Sequence, residues 1–243
     1  MIGRGSLVIM ALWLAMVASP TMAAEAEEMA QVRKVLNRII PNRQPEILSP
    51  SSMPGMYEAV YGSDVMYVSA DGRYVVQGDI IDLSSMENLT ENVRSKIRLK
   101  AMAGLKESDM IVFRPKGETK HTVTIFTDID CGYCRKLHRE VARYTKAGIA
   151  IRYLAFPRSG PNTESYFKAV TVWCSDDPRD ALTRSKSGEK LARKTCDNQP
   201  VDAHMAVAEK VGVSGTPTIV LADGSVIPGY VPADRLAAIL AGQ

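Results

Sequence analysis

Two cysteines separated by two residues are the first candidates for chemistry in this chain. Cys131 and Cys134 flank Gly132 and Tyr133, shortly after an apolar segment that ends at Thr127. A thiol at the start of a helix faces unpaired backbone amides and the positive end of the helix dipole, which stabilise its thiolate and lower its pKa. We therefore predict that Cys131 is the nucleophile of a thiol–disulfide exchange reaction and that Cys134, one turn further along, is its resolving thiol.

Three other interpretations of this spacing stay open on the residues alone. Half of a zinc site has the same spacing, but Cys174 and Cys196 do not form a second close-spaced pair. A copper carrier also uses two such thiols, although no cluster of Met and His adjoins them. A purely structural clip is the third interpretation, although so tight a disulfide at a helix start is poorly suited to it. Redox chemistry without a metal or another cofactor is the favoured hypothesis.

The remaining two cysteines predict a different role. Cys174 and Cys196 flank a polar, basic segment. Closing a loop of this length removes about 3 kcal/mol of unfolded-state entropy. The simplest interpretation is a structural disulfide that resists mild reductant, with a second catalytic dithiol as the alternative.

The N-terminus predicts export. Arg4 is followed by an apolar run at residues 7 to 18 and then by Ser19, Pro20 and further small residues. This is the pattern of a secretory signal, and the run is too short to span a bilayer. We predict a cleaved signal at residues 1 to 23 and a mature chain in the oxidising periplasm, with an N-terminal membrane anchor as the alternative.

Composition excludes several other classes of protein. The chain has 243 residues, of which 46% are hydrophobic and 23% charged, as in an ordinary globular protein and unlike a disordered tail or a coiled-coil rod. Its 30 basic and 27 acidic residues give a net charge of +3 with both signs scattered, so no nucleic-acid partner is expected.

The segments before the cysteines predict a separate N-terminal domain. Residues 27 to 40 have helical spacing, the proline-rich residues 41 to 54 favour irregular chain, and Asp71-Gly72 predicts a type I′ hairpin. Strands are predicted at residues 57 to 61, 65 to 70 and 73 to 77. Residues 24 to 83 would thus form an α+β domain that is too small to be robust alone, which favours pairing of two copies into a homodimer.

A linker helix and an α/β domain are predicted to follow. A capping box of Ser84 and Glu87 starts the predicted linker, residues 84 to 107. Within residues 108 to 243, strands are predicted at 110 to 113, 121 to 127, 149 to 156, 218 to 221 and 225 to 227, and helices at 131 to 144, 163 to 174, 201 to 211 and 233 to 241. This order places the cysteine pair between a central strand and the helix after it.

Other polar residues in this part are expected to have no role in chemistry. The charged residues 179 to 194 predict a solvated loop. His121 lies at a strand entry, and His204 lies on a predicted helix far in sequence from the cysteine pair. His138 is expected at the surface.

Several motifs resemble those of the DsbC/DsbG family of periplasmic thiol:disulfide isomerases, and most closely its DsbC type. They are FTDI and CGYC at residues 126 to 134, LH at 137 to 138, WC at 173 to 174, VGVSGTPT at 211 to 218 and VIPGY at 226 to 230. The resemblance is firm from about residue 110 to 240 and rests on layout alone before that.

This resemblance implies a fold, partners and a substrate site. The expected architecture is an α+β dimerisation domain, a linker helix and an α/β thioredoxin-fold domain with a helical insertion. The cleft of the homodimer would hold misfolded exported proteins, and a membrane electron donor of the DsbD type would keep the dithiol reduced. It also implies a cis Thr216–Pro217 bond facing the dithiol, so that Gly132, Tyr133, Thr216 and Pro217 contact substrate.

Two alternative functions accompany this hypothesis. A DsbG-like reductase of oxidised single cysteines shares the architecture, although Gly132 and Tyr133 between the cysteines favour the isomerase. A peptide-binding chaperone without redox chemistry would use the same cleft.

Asp130 conflicts with a reactive thiolate at the next residue. Its carboxylate is expected to raise the pKa of Cys131 and partly cancel the effect of the helix terminus. Arg135 or Lys136 could offset this charge.

Overall fold

The structure, a computed structural model, describes residues 20 to 242. Most of the predicted signal, residues 1 to 23, therefore lies outside the described residues. Within residues 20 to 242, no helix combines the length and the apolar character needed to cross a membrane.

The N-terminal part consists of one helix and a four-stranded antiparallel sheet. Helix α1 spans Pro20–Ile39 and begins earlier than predicted, but it ends, as expected, just before Pro41. The strands lie side by side in chain order: β1 (Ile47–Pro50), β2 (Met56–Tyr61), β3 (Asp64–Ser69) and β4 (Val75–Val76). Val32 and Leu36 of α1 are buried in one apolar cluster with residues of this sheet.

Two local predictions in this part are wrong. The prolines do not keep the whole segment irregular, since residues 47 to 50 form β1. Among the described residues this edge strand pairs only with β2, so Pro50 interrupts no second ladder. The turn at Asp71-Gly72 is not type I′, since only Gly72 has a positive φ, of 67°. Asp71 instead accepts hydrogen bonds from the Ser69 hydroxyl and the Arg73 amide through Oδ1.

The helix between the two parts is shorter than predicted and begins differently. A small ladder of β5 (Ile81–Asp82) and β6 (Glu87–Asn88) precedes helix α2 (Leu89–Met102). The predicted capping box is wrong, because Glu87 lies in β6 and the side chain of Asn88 caps α2 by accepting from the Glu91 amide at 2.8 Å.

Helix α2 packs on both parts of the chain. Val93 and Ile97 lie against the N-terminal sheet, whereas Ala101 and Met102 lie against an apolar cluster of the C-terminal part. The helix is therefore held on both sides.

The C-terminal part is a five-stranded sheet flanked by helices. Its strands, in the spatial order β11-β10-β8-β9-β7, are β7 (Ile111–Phe113), β8 (His121–Thr127), β9 (Ile149–Ala155), β10 (Thr218–Val220) and β11 (Val226–Pro228). Strands β8 and β9 are parallel and the other pairs are antiparallel. The central strand β8 ends next to the cysteine pair, as the sequence predicted.

Six helices complete this part. They are α3 (Gly132–Arg139), α4 (Val141–Lys146), α5 (Glu164–Trp173), α6 (Pro178–Ser187), α7 (Val201–Val211) and α8 (Ala233–Ala241). The predicted strands and the predicted helices α5, α7 and α8 agree with these bounds to within a residue at each end. The helix predicted from Cys131 is divided at Glu140 into α3 and α4.

Residues 179 to 194 are only in part the solvated loop that their charges predicted, because helix α6 extends to Ser187 and only the residues after it are mostly exposed and irregular. Asp177 caps α6 by accepting from two backbone amides, Pro178 occupies its first turn, and Gly188 ends it with a φ of 103°. The helix buries Leu182 and Lys186 against the rest of the C-terminal part.

Candidate active site

Cys131 and Cys134 lie where the central strand passes into helix α3. Cys131 occupies the N-cap position of α3, and Cys134 lies in its first turn. Both are free thiols, and the exposed fractions are 3% for Cys131 and 1% for Cys134. Cys131 therefore faces the unpaired amides of the helix start, while Cys134 is enclosed by protein.

The loop before β10 closes over the first thiol. The Thr216–Pro217 peptide bond is cis, and the Cys131 thiol donates a hydrogen bond to the Thr216 carbonyl at 3.2 Å. Gly132 and Tyr133 are exposed beside this contact, with 64% of Tyr133 accessible to solvent. The predicted substrate-contacting residues are thus brought together around Cys131.

The surroundings of Cys131 favour its thiolate. Burial raises the pKa of the thiol, but hydrogen bonding by Thr216 and Cys134 and the positive charge of Arg158 outweigh burial and leave the pKa below its ordinary value. The hydroxyl of Thr216 is buried and has no hydrogen-bond partner among residues 20 to 242. Cys131 is the more acidic of the two thiols.

Cys134 has the opposite balance. Burial raises the pKa of its thiol above the ordinary value, although the charge of Lys186 and hydrogen bonding by Asp128 and Thr127 act against that rise. Cys134 is therefore protonated when Cys131 is ionised, which is the order that a nucleophile and a resolving thiol require.

A buried carboxylate organises the turn between β8 and α3. Asp128 accepts hydrogen bonds from the Ser165 hydroxyl at 2.6 Å, the Asp130 amide at 2.8 Å, and the Arg158 amide and Nε at 3.1 Å. Burial raises the pKa of Asp128, but these donors outweigh it and the pKa is lowered. Asp128 thus fixes the turn and holds Arg158 near the thiols.

Sequence reasoning missed Asp128, Arg158 and Ser165. An acidic residue directly after a largely buried strand is the one local signal that marks Asp128. Arg158 follows β9 and Ser165 lies in α5, and no spacing in the sequence relates either residue to the cysteines.

Asp130 is compensated by two cations. Its carboxylate pairs with Arg135 at 3.2 Å and with Lys168 of α5 at 3.0 Å. Lys136 is not a partner, since its Nζ lies over the ring of Tyr230, 4.5 Å from the centroid. The expected conflict with the Cys131 thiolate is therefore weakened by a residue, Lys168, that the sequence did not indicate.

A pocket of about 340 Å³ opens beside Asp130. Its wall combines the apolar side chains of Phe167 and Leu191 with the cations Lys190 and Arg193. The guanidinium of Arg193 lies 3.6 Å from the centroid of the Phe167 ring.

The other two cysteines lie apart from this site. Cys174 and Cys196 form a disulfide with a Cα–Cα distance of 5.6 Å, joining the end of α5 to the segment between α6 and α7. Within residues 20 to 242, no three His, Cys, Asp or Glu side chains converge on a metal site.

The prediction that His138 lies at the surface is wrong. It is buried between the Tyr153 hydroxyl, 3.3 Å from Nδ1, and the Thr183 hydroxyl, 3.0 Å from Nε2. Burial, with a smaller contribution from Lys186, lowers the pKa of His138 to about 3. Burial likewise lowers the pKa of His204, which accepts from the Ala155 amide, to about 4. Both rings are neutral at neutral pH and cannot serve as cationic partners of a thiolate.

Comparison with known proteins places this geometry among disulfide exchange proteins. The family model of the disulfide bond isomerase protein N-terminal domain matches residues 20–91, and that of the thioredoxin-like domain matches residues 107–242. The chain is 40% identical over 185 residues to the thiol:disulfide interchange protein DsbC of Escherichia coli K12, covering 76% of each chain. It is 36% identical over 217 residues to the DsbC of Haemophilus influenzae, covering 89% of this chain and 91% of the relative.

A solved structure agrees with these matches. The disulfide interchange protein from Neisseria gonorrhoeae is 28% identical, with a TM-score of 0.50, and the match covers 57% of this chain and 97% of that one. These findings confirm the fold predicted from the sequence, with an N-terminal α+β domain and a thioredoxin-like domain.

Proposed function

The chain belongs to the DsbC family of thiol:disulfide interchange proteins, and from this premise we propose that Cys131 is its nucleophile and Cys134 its resolving thiol. Proteins of this kind exchange disulfides by attack of a thiolate on a disulfide sulfur. The observation that carries the assignment of roles is the position of Cys131 at the start of α3, where the charge of Arg158 helps to lower the pKa of the thiol.

The reaction begins with a mixed disulfide. The Cys131 thiolate attacks one sulfur of an incorrect disulfide, a Cys131–substrate bond forms, and the other substrate sulfur departs with the electron pair. When a second substrate thiolate then attacks the mixed disulfide, the substrate leaves with a new pairing and no net electron transfer, which is isomerisation.

Reduction is the other exit from the mixed disulfide. Cys134 attacks the sulfur of Cys131, the substrate sulfur departs as a thiolate, and the protein keeps a Cys131–Cys134 disulfide. Two electrons have then passed to the substrate. A dithiol donor, which we assign to the DsbD type of membrane protein, must restore the reduced form.

The surface around Cys131 supports binding of extended polypeptide. The Thr216–Pro217 loop offers backbone beside the nucleophile, and exposed Tyr133 offers an aromatic face. The pocket beside Asp130 extends this surface with both apolar and cationic side chains. The substrates are misfolded exported proteins that contain disulfides.

The N-terminal part has a surface suited to pairing with a second copy. Strand β4 pairs only with β3, so its other edge is free within the described residues. Apolar side chains are exposed on this strand and on either side of it: Tyr74, Val75, Val76, Ile81, Leu83 and Met86. An open strand edge with exposed apolar side chains favours association, and we assign it to a homodimer interface.

The location and domain limits follow from the same hypothesis. A signal at residues 1 to 23 would direct the chain to the periplasm, where cysteines can be oxidised. The mature protein would consist of a dimerisation domain at residues 24 to 83, a linker at 84 to 107 and a catalytic domain at 108 to 243.

Refolding of a scrambled protein with several disulfides tests this function. The mature protein should restore activity to the scrambled substrate, whereas Cys131→Ser should not. Cys134→Ser should retain part of the isomerase activity and accumulate mixed disulfides, because release by a substrate thiol does not need Cys134.

A cysteine-free client is the control for the chaperone alternative. The double variant should still assist the folding of this client if the protein acts as a chaperone. The double variant Cys131→Ser, Cys134→Ser should lose the recovery of the scrambled substrate. Equal recovery of that substrate by wild type and double variant would refute a redox function. An enzyme that reduces sulfenylated single cysteines but leaves scrambled disulfides unchanged would indicate the DsbG-like alternative.

A further inference from the structure

Lys186 is a buried cation that the reaction described above does not use. Only 3% of this α6 residue is exposed. Its Nζ donates hydrogen bonds to the Thr127 hydroxyl at 2.9 Å and the Asp128 carbonyl at 3.1 Å. Both acceptors are uncharged, and the Asp128 carboxylate is occupied by Ser165 and Arg158. A buried charge without a paired counter-ion is costly, so its position calls for an explanation.

The packing of α6 on α3 places Lys186 beside Cys134. The two helices are joined by the contact of His138 with Thr183 at 3.0 Å. Cys134 lies one helical turn before His138 on α3, and Lys186 lies one turn after Thr183 on α6, so each pair shares a helix face. The hydrogen bonds of Lys186 to Thr127 and Asp128 bring its ammonium to the end of β8, where the thiols begin.

We propose that Lys186 is a positioning residue for the resolving thiol, supplying the buried positive charge that favours the Cys134 thiolate in the release step. The inference rests on the proposed role of Cys134. In that step the Cys134–Cys131 bond forms and the Cys131–substrate bond breaks. The substrate sulfur departs with the electron pair as a thiolate and then accepts the proton that Cys134 has given up, while Lys186 keeps its own protons throughout.

The electrostatics of the cluster agree with this role. Burial raises the pKa of Cys134, and the charge of Lys186 is the largest influence that opposes the rise. Burial also lowers the pKa of Lys186 to about 8, against the attraction of Cys134, Asp128 and Cys131.

Other ionisable groups of the packed elements also face this cluster. They are Arg135 and the neutral His138 of α3, Tyr153 of β9 and Arg158 after β9. Arg158 pairs with the Asp128 carboxylate and Arg135 with the Asp130 carboxylate. Of the cations in this cluster, Lys186 is the one that forms no ion pair within residues 20 to 242.

The pKa of Cys134 tests the proposal without any assay of isomerase activity. In the Cys131→Ser protein Cys134 is the only free thiol, since Cys174 and Cys196 are paired. Between about pH 6 and 7.5 Lys186, with a pKa of about 8, still carries its charge, and the alkylation rate there follows the thiolate fraction and hence the pKa of Cys134. Adding Lys186→Met should raise that pKa by about one unit, because a nearby opposite charge has been removed from a buried site. Lys136→Met removes an exposed charge from the same helix and should shift the pKa much less, because solvent screens it.

A second substitution separates charge from hydrogen bonding. Lys186→Gln keeps a donor for Thr127 and the Asp128 carbonyl but carries no charge, so it should raise the pKa of Cys134 as Lys186→Met does. An unchanged pKa in both folded variants, or a rise in Lys186→Met alone, would overturn the proposal. Because the alkylation rate does not depend on substrate, failure here leaves the isomerase assignment standing, and failure of the refolding assay leaves this result standing.

Discussion

The acidity of the Cys131 thiol depends on neighbours that the sequence separates widely. The thiol lies at the start of α3, contacts Thr216 before β10 and is attracted by Arg158 after β9. The buried histidines are neutral, so the thiolate is favoured by hydrogen bonds and a guanidinium that do not titrate near neutral pH.

Removing the Asp130 carboxylate should make Cys131 more acidic. Asp130→Asn leaves Arg135 and Lys168 without their shared anion. These cations should then lower the pKa of Cys131 by a few tenths of a unit, a small change because solvent reaches this side of the site. Titration of ultraviolet thiolate absorbance in a Cys134→Ser background measures the shift.

Lys168→Met provides the matched change of opposite sign. It leaves Asp130 with Arg135 as its remaining partner, so the pKa of Cys131 should rise by a comparable amount, and added salt should shrink both shifts. Shifts of the same sign in the two variants would contradict this account of the site.

The residues that could be predicted are those related by local spacing. The positions of Cys131 and Cys134 at a strand-to-helix turn follow from the pattern of a few neighbouring residues, and the turn was predicted correctly. Arg158, Lys168 and Lys186 reach the site only through packing of α5, α6 and the chain after β9. No sequence period encodes such contacts.

At the scale of elements, the errors occurred where local signals competed. Helix α6 carries strong start and stop signals in Asp177, Pro178 and Gly188, but its many charges favoured a loop. A charged helix can still bury one face, as Leu182 and Lys186 show. Strand β1 was missed for the opposite reason, because prolines that exclude a central strand are acceptable at an edge.

His204, which joins helix α7 to strand β9, should make the free energy of unfolding depend on pH. The pKa of His204 is about 4 in the folded protein, below the ordinary value of 6.5. Between pH 4 and 6.5, therefore, His204 is protonated in the unfolded chain and neutral in the folded chain. The free energy of unfolding should be fully present above about pH 6.5 and should fall by roughly 2 kcal/mol from this residue as the pH drops from 7 to 5.

Urea unfolding at several pH values measures this dependence. His204→Leu also loses the hydrogen bond from Ala155, so it should be less stable at pH 7 but should lose less stability on acidification. His138, with a pKa of about 3, adds a second dependence of the same sign that remains in the variant. Met205→Leu, at the next position of α7, changes no ionisable group and is the control. An equal slope in His204→Leu and Met205→Leu would show that His204 does not titrate as stated.

At the scale of the whole molecule, α2 connects the catalytic chemistry to the N-terminal domain. Its residue Arg98 donates to the Gly224 carbonyl at 3.2 Å, and a Cβ at Gly224 would lie 2.4 Å from the Ser95 carbonyl oxygen. A shortened protein that begins at Ser108 would lack α2 and would therefore expose apolar residues of the C-terminal part that this helix covers. A truncated protein that begins at Leu89 keeps α2 and is the better test of an isolated catalytic domain.

The edge of β4 should decide whether the isomerase assembles as a dimer. Val75 and Val76 are 43% and 45% exposed on a strand whose outer edge is free among the described residues. Replacing both with Lys places like charges across a two-fold interface, where they repel and remain desolvated. We expect the double variant to sediment as a monomer at micromolar concentration and the mature wild type to sediment as a dimer.

The same variant separates assembly from thiol chemistry. Because β4 lies in the N-terminal sheet and Cys131 in the C-terminal part, the monomer should keep the wild-type pKa of Cys131 and exchange normally with glutathione. If the proposed cleft between two subunits holds the substrate, the monomer should lose most of its ability to rescue a scrambled protein. Met53→Lys, an exposed apolar position in the same domain outside strands β1 to β4, is the control for added charge and should remain dimeric. A double variant that stays dimeric would place the interface elsewhere, and a monomer with full isomerase activity would remove the need for a cleft.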